Sequence, residues 1–308
     1  MLSMSVNTSM HWVLRDLSRA CRHVVNICSG LAAQDFWVSP ARVRSICRNA
    51  DTFFVLACGR SGTKFLSALL NNDRDATVVH EPVPEDFVFC NLFRDEPGRM
   101  RAYLRYRRRR ILRLIARAST YGEITPALSL GAPLLPELFP NSRFLHLVRD
   151  GRDVVRSIMS RAAYFRHRDF IPGFNPAPSV GDPLRDRWGQ LSRFGKACWQ
   201  WTRINARIGE AVETRVKLED LSHDYRCFRS AVARPLGLDI GEQLWGREVH
   251  RPKNVTKTYS IPHWTEWSAE KVRKFQSICG DMMSRLGYGA QPGWREKCRR
   301  AGAAVPRQ

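Results

Sequence analysis

The sequence predicts a three-layer α/β fold in which a central, mainly parallel sheet is flanked by helices, and three observations lead there. Apolar, β-rich runs of strand length recur at residues 52–57 (TFFVLA), 76–80 (ATVVH), 121–125, 143–148 (RFLHLV) and 214–218. Segments with apolar positions at helical spacing separate them, and strands that alternate with helices assemble as parallel sheets. After residues 57 and 148 a strand runs through a short polar turn straight into a helix. The carboxyl ends of such strands are where these sheets bind ligands.

Taken in order, residues 1–50 read as a helical, basic N-terminal extension, residues 51–290 as the main domain and residues 291–308 as a basic tail. Behind the first strand, residues 63–70 place Phe65, Leu66, Leu69 and Leu70 on one helical face. The second strand stops at His80-Glu81-Pro82, where the proline biases its predecessor away from helix. Residues 99–118 read as an amphipathic helix with nine arginines between 99 and 117. Such a helix grips an anionic glycan or an acidic membrane surface, or forms a solvated face. Residues 126–139 fit two brief helical pieces, and residues 153–165 one longer helix. Residues 166–187 hold six prolines or glycines and read as a loop. A long helix over about 184–212, containing Trp188, Trp199 and Trp201, precedes the strand at 214–218. A helix at 224–234 follows, and a last one at 268–286 is opened by Ser268 and closed by Gly287.

Fifty Lys and Arg against 29 Asp and Glu give a net charge of +21, which draws polyanions such as nucleotides, anionic glycans, nucleic acid or acidic lipid. The nine cysteines are odd in number and never spaced Cys-x-x-Cys, so metal-ligand spacing and a disulfide framework are both unsupported. Free thiols in a reducing compartment are the expectation. No apolar run has the length of a spanning helix, and Arg15, Asp16 and Arg19 interrupt any signal-peptide core. A cytoplasmic protein is expected, with peripheral membrane contact left open.

The first turn reads Cys58-Gly59-Arg60-Ser61-Gly62-Thr63-Lys64, where backbone N–H groups, a helix N-terminus and two cations converge on one anion. A Walker A loop requires Ser or Thr after its Lys, but Thr63 precedes Lys64 and Phe65 follows it, which argues against a P-loop kinase. Gly59 to Thr63 instead resembles the 5′-phosphosulfate loop of sulfotransferases that use 3′-phosphoadenosine 5′-phosphosulfate (PAPS). The second turn, Arg149-Asp150-Gly151-Arg152-Asp153 leading to Ser157, resembles that family's 3′-phosphate site, in which an Arg at the strand end and a Ser on the following helix clamp the phosphate. An Arg offers a bidentate fork and a Ser hydroxyl a neutral donor. Residues 216–221 (VKLEDL) and 282–288 (MMSRLGY) are similar to later elements of the family, so the likeness spans about residues 52–288.

The resemblance implies a P-loop-like fold, PAPS as co-substrate, no metal, and a hydroxyl-bearing acceptor. A glycan, a glycolipid or a lipopolysaccharide sugar suits the basic chain, a small alcohol or a peptide tyrosine stays open as acceptor, and no nucleic-acid module is present. It implies that Arg60 touches the bridging and sulfuryl oxygens. Gly59, Ser61, Gly62, Thr63 and Lys64 then cradle the 5′-phosphate, while Arg149 and Ser157 hold the 3′-phosphate. Arg251 and Lys253 either assist with the nucleotide or lie in a solvated loop. Glycan-modifying relatives carry a Lys near Ile124, and Lys64 is its candidate replacement. Glu81 is the candidate base, as in the acidic turns of glycan- and protein-modifying relatives, and His80 is its competitor. Side chains alternate along a strand, so the two are not expected to face one cleft if the strand continues through both.

Overall fold

The computed structural model describes residues 51–83, 85–115, 120–165, 175–251 and 259–305; the N-terminal extension and Lys253 lie outside the described residues. Five strands, β1 (Asp51–Ala57), β2 (Ala76–His80), β3 (Thr120–Ile124), β4 (Arg143–Val148) and β5 (Arg215–Lys217), form one sheet in the order β2-β3-β1-β4-β5. Every pairing is parallel. β1 lies at the centre, and all its residues after Asp51 are buried. A continuous apolar run belongs in such a strand because helices cover both faces.

Alternate residues of β1 face opposite layers. Phe53, Val55 and Ala57 pack with Leu66 and Leu69 of α1 (Thr63–Leu70), while Phe54 and Leu56 belong to the core on the other side. That second core includes α2 (Asp86–Leu92), α3 (Pro97–Ile115), α4 (Leu135–Leu138) and α5 (Gly151–Met159). The first core takes in α7 (Leu218–His223) and α8 (Tyr225–Phe228), whereas α6 (Arg193–Gly209) packs in the second. A further helix, α9 (Glu242–Val249), lies against α1, and α10 (Ala269–Arg285) and α11 (Pro292–Arg300) complete the chain.

Several boundaries differ from expectation. The helix expected over about 184–212 starts only at Arg193, because the Ser192 hydroxyl accepts from the Gly195 N–H and caps it there. Trp188 therefore sits in a separate 3₁₀ turn, Trp188–Gln190, outside the helix that holds Trp199 and Trp201. The helix expected at 224–234 is one α-turn followed by a π-turn, Arg229–Ala233. The expected basic tail contains α11, whose Trp294 and Cys298 are fully buried while its cations face out. Net charge concealed that one apolar side. Helices α2 and α9 were not expected at all, being too short to show a clear period.

The basic helix holds a further correction. Met100, Tyr103, Leu104 and Ile111 of α3 are buried, and Arg107 among them is only 1% exposed. Its Nε donates to both oxygens of Asp86, at 3.1 and 2.9 Å, and one terminal nitrogen donates to Glu123 Oε1 at 2.6 Å. The Tyr103 and Tyr121 hydroxyls donate to the same two carboxylates, at 2.5 and 3.0 Å. Glu123 stands opposite Phe54 in register and so faces this helix. Arg99 and Arg101 pair with Glu96 and Glu137. Arg101 and Arg107 thus tie the first turns of α3 to the domain, while Arg99 pairs locally.

Removing the guanidinium leaves two buried carboxylates uncompensated, which costs about 3–5 kcal/mol for a buried pair of this kind. Arg107→Ala is expected to lower the urea midpoint accordingly, whereas Arg105→Ala, on the exposed face, leaves it near wild type.

Candidate active site

Parallel pairing sets Ala57 of β1 beside Leu147 of β4, so the turns that follow these strands open side by side. After β1 the Ser61 N–H closes a tight turn on the Cys58 carbonyl at 3.2 Å. Arg60 and Gly62 both adopt left-handed backbone, with φ of 76° and 91°. Gly62 is required twice over, since a Cβ there would also meet Leu218 at 2.7 Å. Arg60 has no such freedom, and an L-residue held in this region is strained, as functional turns often are. Gly62 supplies no side-chain cap to α1, so the first N–H groups of the helix have no side-chain acceptor.

After β4 the chain passes Arg149 and enters α5 through Asp150, whose carboxylate accepts from the Arg152 N–H as the helix cap. Three contacts hold this turn. Trp201 Nε1 donates to the Arg149 carbonyl at 3.2 Å, Glu219 Oε1 accepts from the Asp150 N–H at 2.9 Å, and the Tyr288 hydroxyl donates to Glu219 Oε2 at 2.7 Å. Glu219 is the acidic residue of the VKLEDL run, which gives that run its structural meaning.

The two turns are joined directly. Arg60 Nε donates to Ser157 Oγ at 3.0 Å, and an Arg149 terminal nitrogen donates to the Arg60 carbonyl at 3.2 Å. Arg149 and Arg156 flank Asp153, each 3.8 Å from a carboxylate oxygen. Arg60 thus reaches toward the second turn, and the structure brings the turn formed by Gly59, Arg60, Ser61, Gly62, Thr63 and Lys64 together with Arg149 and Ser157. Ser61 is fully buried and its hydroxyl has no partner among the described residues. Lys64 is exposed in the first turn of α1.

The end of β2 supplies the third wall. The Glu81 N–H still pairs with the Ile124 carbonyl, but its φ of 45° turns the backbone out of the strand. Strict alternation is thereby broken, and His80 and Glu81 do face one cleft, with Nδ1 to Oε2 at 3.7 Å. His80 Nε2 shares a hydrogen bond with Thr63 Oγ1 at 3.0 Å. Burial, reinforced by Lys64, lowers the His80 pKa to about 4, so the ring is neutral. Burial raises the Glu81 carboxyl above its ordinary value, against the pull of Lys64 and Arg60. The Arg60 guanidinium is lowered by burial.

A family model described as "Sulfotransferase family" matches residues 52–240. The chain belongs to that family. Among solved structures, the sulfotransferase domain from the curacin biosynthetic pathway is similar to this sulfotransferase at 14% identity and a TM-score of 0.41, covering 83% of this chain and 99% of that one. A sulfotransferase from Alicyclobacillus acidocaldarius is similar at 13% identity and a TM-score of 0.42, covering 80% and 98%. No curated protein matches the chain.

The remaining sequence candidates of this family member are Arg251 and Lys253, of which only Arg251 is among the described residues. Arg251 follows α9 with its side chain 71% exposed and is paired with Glu248 at 3.7 Å, and Lys253 lies outside the described residues. Conversely, Trp201, Glu219 and Tyr288 hold the second turn although no local motif marked them for that task. Their contacts join residues 52 to 69 positions apart along the chain. A Cβ on Gly151 would lie 2.9 Å from the Trp201 ring, so the turn can sit on the indole only with glycine there. Gly151→Ala is expected to cost about 1–3 kcal/mol in thermal or urea unfolding through overpacking.

Proposed function

We propose that the enzyme transfers a sulfuryl group from PAPS to a hydroxyl of a glycan, glycolipid or lipopolysaccharide sugar. The hydrogen bonds linking Arg60, Ser157 and Arg149 carry this reading, because they merge two strand-to-helix turns into one cationic cleft able to grip a nucleotide with two separate phosphates. The residues fit such a ligand. The α1 amino terminus lacks a side-chain cap, the Ser61 hydroxyl is an orphan donor, and Arg60, Lys64 and Arg149 supply positive charge. When bound, PAPS supplies the sulfuryl group and a phosphate leaving group.

The remaining tasks fall to side chains of this chain. Glu81 takes the proton of the acceptor hydroxyl as that oxygen attacks sulfur. Lys64 and the α1 N–H groups face the charge that gathers on the departing phosphate oxygen. His80, neutral and bonded to Thr63, positions the phosphate turn. The His-Glu-Pro turn resembles glycan- and protein-modifying relatives and supports the acceptor class, as does a net charge of +21 toward anionic saccharides. No helix among the described residues is long and apolar enough to cross a membrane. Peripheral contact with an acidic membrane is consistent with the same charge.

Incubation with ³⁵S-labelled PAPS and fractionated glycans and glycolipids is expected to label a saccharide, with PAP (the desulfated nucleotide) binding in calorimetry and ATP ignored. Preference for ATP over PAP overturns the proposal. Glu81→Gln is expected to abolish transfer while PAP still binds; retained turnover moves the base to His80. Arg60→Ala is expected to lose about 10² to 10³ in kcat as a transition-state donor. Because the base acts ionised, the rate falls as pH drops through the Glu81 value. That acid limb should lie above the ordinary 4.5, with no limb near 6.5 from His80.

A further inference from the structure

Behind α5, the turn ending in Phe165 carries a residue that no sequence motif marks. Arg193, at the start of α6, donates Nε to the Tyr164 carbonyl at 2.8 Å and a terminal nitrogen to Met159 O at 2.9 Å. Its other terminal nitrogen donates to Ile158 O at 3.2 Å and to the Arg161 carbonyl. One guanidinium therefore fixes four carbonyls of the α5 end and the turn behind it. The Tyr259 ring packs on that guanidinium at 5.7 Å, and the Tyr259 N–H donates to Ser160 O at 3.1 Å. Phe165 then takes left-handed backbone, φ 50°. Among the described residues only Arg60 and Glu81 are other non-glycines in that region, and both line the cleft. Strain of this kind is common at functional turns, and Phe165 directly follows Tyr164.

The consequence is the placement of Tyr164. Its hydroxyl oxygen lies 3.5 Å from where a Cβ on Gly59 would stand, so the phenol tip rests on the phosphate turn. Arg60 and Glu81 both act on it electrostatically, and burial, strengthened by Glu81, raises its pKa, which keeps it a protonated donor. That hydroxyl makes no hydrogen bond to any described residue. Arg60 Nε, by contrast, is engaged by Ser157. A phenol whose backbone is pinned by Arg193, whose tip rests beside Gly59 and whose hydroxyl has no partner among the described residues is placed to donate to a ligand oxygen held at that turn.

We propose that Tyr164 is a further catalytic residue, its hydroxyl donating to an oxygen of the sulfuryl group in transit. The inference rests on the PAPS reading above. In the step, the bond between sulfur and the nucleotide phosphate oxygen breaks, its electron pair staying on that oxygen. A bond forms from sulfur to the acceptor oxygen, whose proton passes to Glu81, and Tyr164 keeps its own proton throughout.

Tyr164→Phe tests this, since it removes one oxygen that has no hydrogen-bond partner among the described residues and so leaves the fold intact. Water serves as the acceptor, with release of labelled sulfate from PAPS measured in single turnover, and PAP and PAPS affinities are measured by calorimetry. The expected result is PAP affinity and melting temperature like wild type, PAPS affinity about tenfold weaker, and sulfate release slower by about 10². Wild-type PAPS affinity and sulfate release in the variant overturn the role, and so does an equal loss of PAP and PAPS affinity, which would make Tyr164 a support of the turn. Failure of the wild-type protein to bind PAPS overturns the donor reading itself, and this role with it.

Discussion

Parallel pairing of β1 with β4 is the constraint on which the rest of the site depends. Their register delivers two turns, distant in sequence, to the same edge of the sheet within reach of one arginine side chain. Each turn begins a helix, and the one after β1 starts without a side-chain cap. Had β4 paired elsewhere, Arg60 and Ser157, 97 residues apart, would have no reason to meet.

The cleft is held from behind by polar contacts that do no chemistry. Trp201, Glu219 and Tyr288 clamp the turn after β4, and Arg193 gathers the carbonyls beyond α5. Arg107 does similar work deeper in the domain by joining Asp86 and Glu123 between α2, α3 and β3. Buried charges of this kind are costly unless every partner is present. They make the scaffold stiff where a nucleotide's phosphates and a reacting sulfur centre would need fixed donors. The strained backbone at Arg60, Glu81 and Phe165 is tolerable only because such contacts over-determine it.

Electrostatics divides the two neighbours at the end of β2. His80 and Glu81 sit 3.7 Å apart, yet desolvation pushes both toward their neutral forms. Neutral His80 remains able to orient Thr63, while Glu81 has its basicity strengthened by the same burial. A strand that continued in register would have sent them to opposite faces. The left-handed turn at Glu81 prevents that.

The sequence by itself determined the strand order of events: five apolar runs, the two polar turns behind the first and fourth of them, and the cap at Ser268 all show in local pattern, because burial of a parallel strand and the start of a helix leave periodic and compositional marks. Gly59 to Lys64, Arg149 and Ser157 were picked out by where those two turns fall together with the resemblance of their motifs to the sulfotransferase family. Only the tertiary structure decided that the Arg-rich helix turns Arg107 inward, that the basic tail hides Trp294, that His80 and Glu81 share a cleft, and that Tyr164 meets Gly59. Those facts depend on side chains brought together across many residues and on backbone angles that no residue type dictates. An arginine reads as surface charge until the fold supplies two buried carboxylates to receive it.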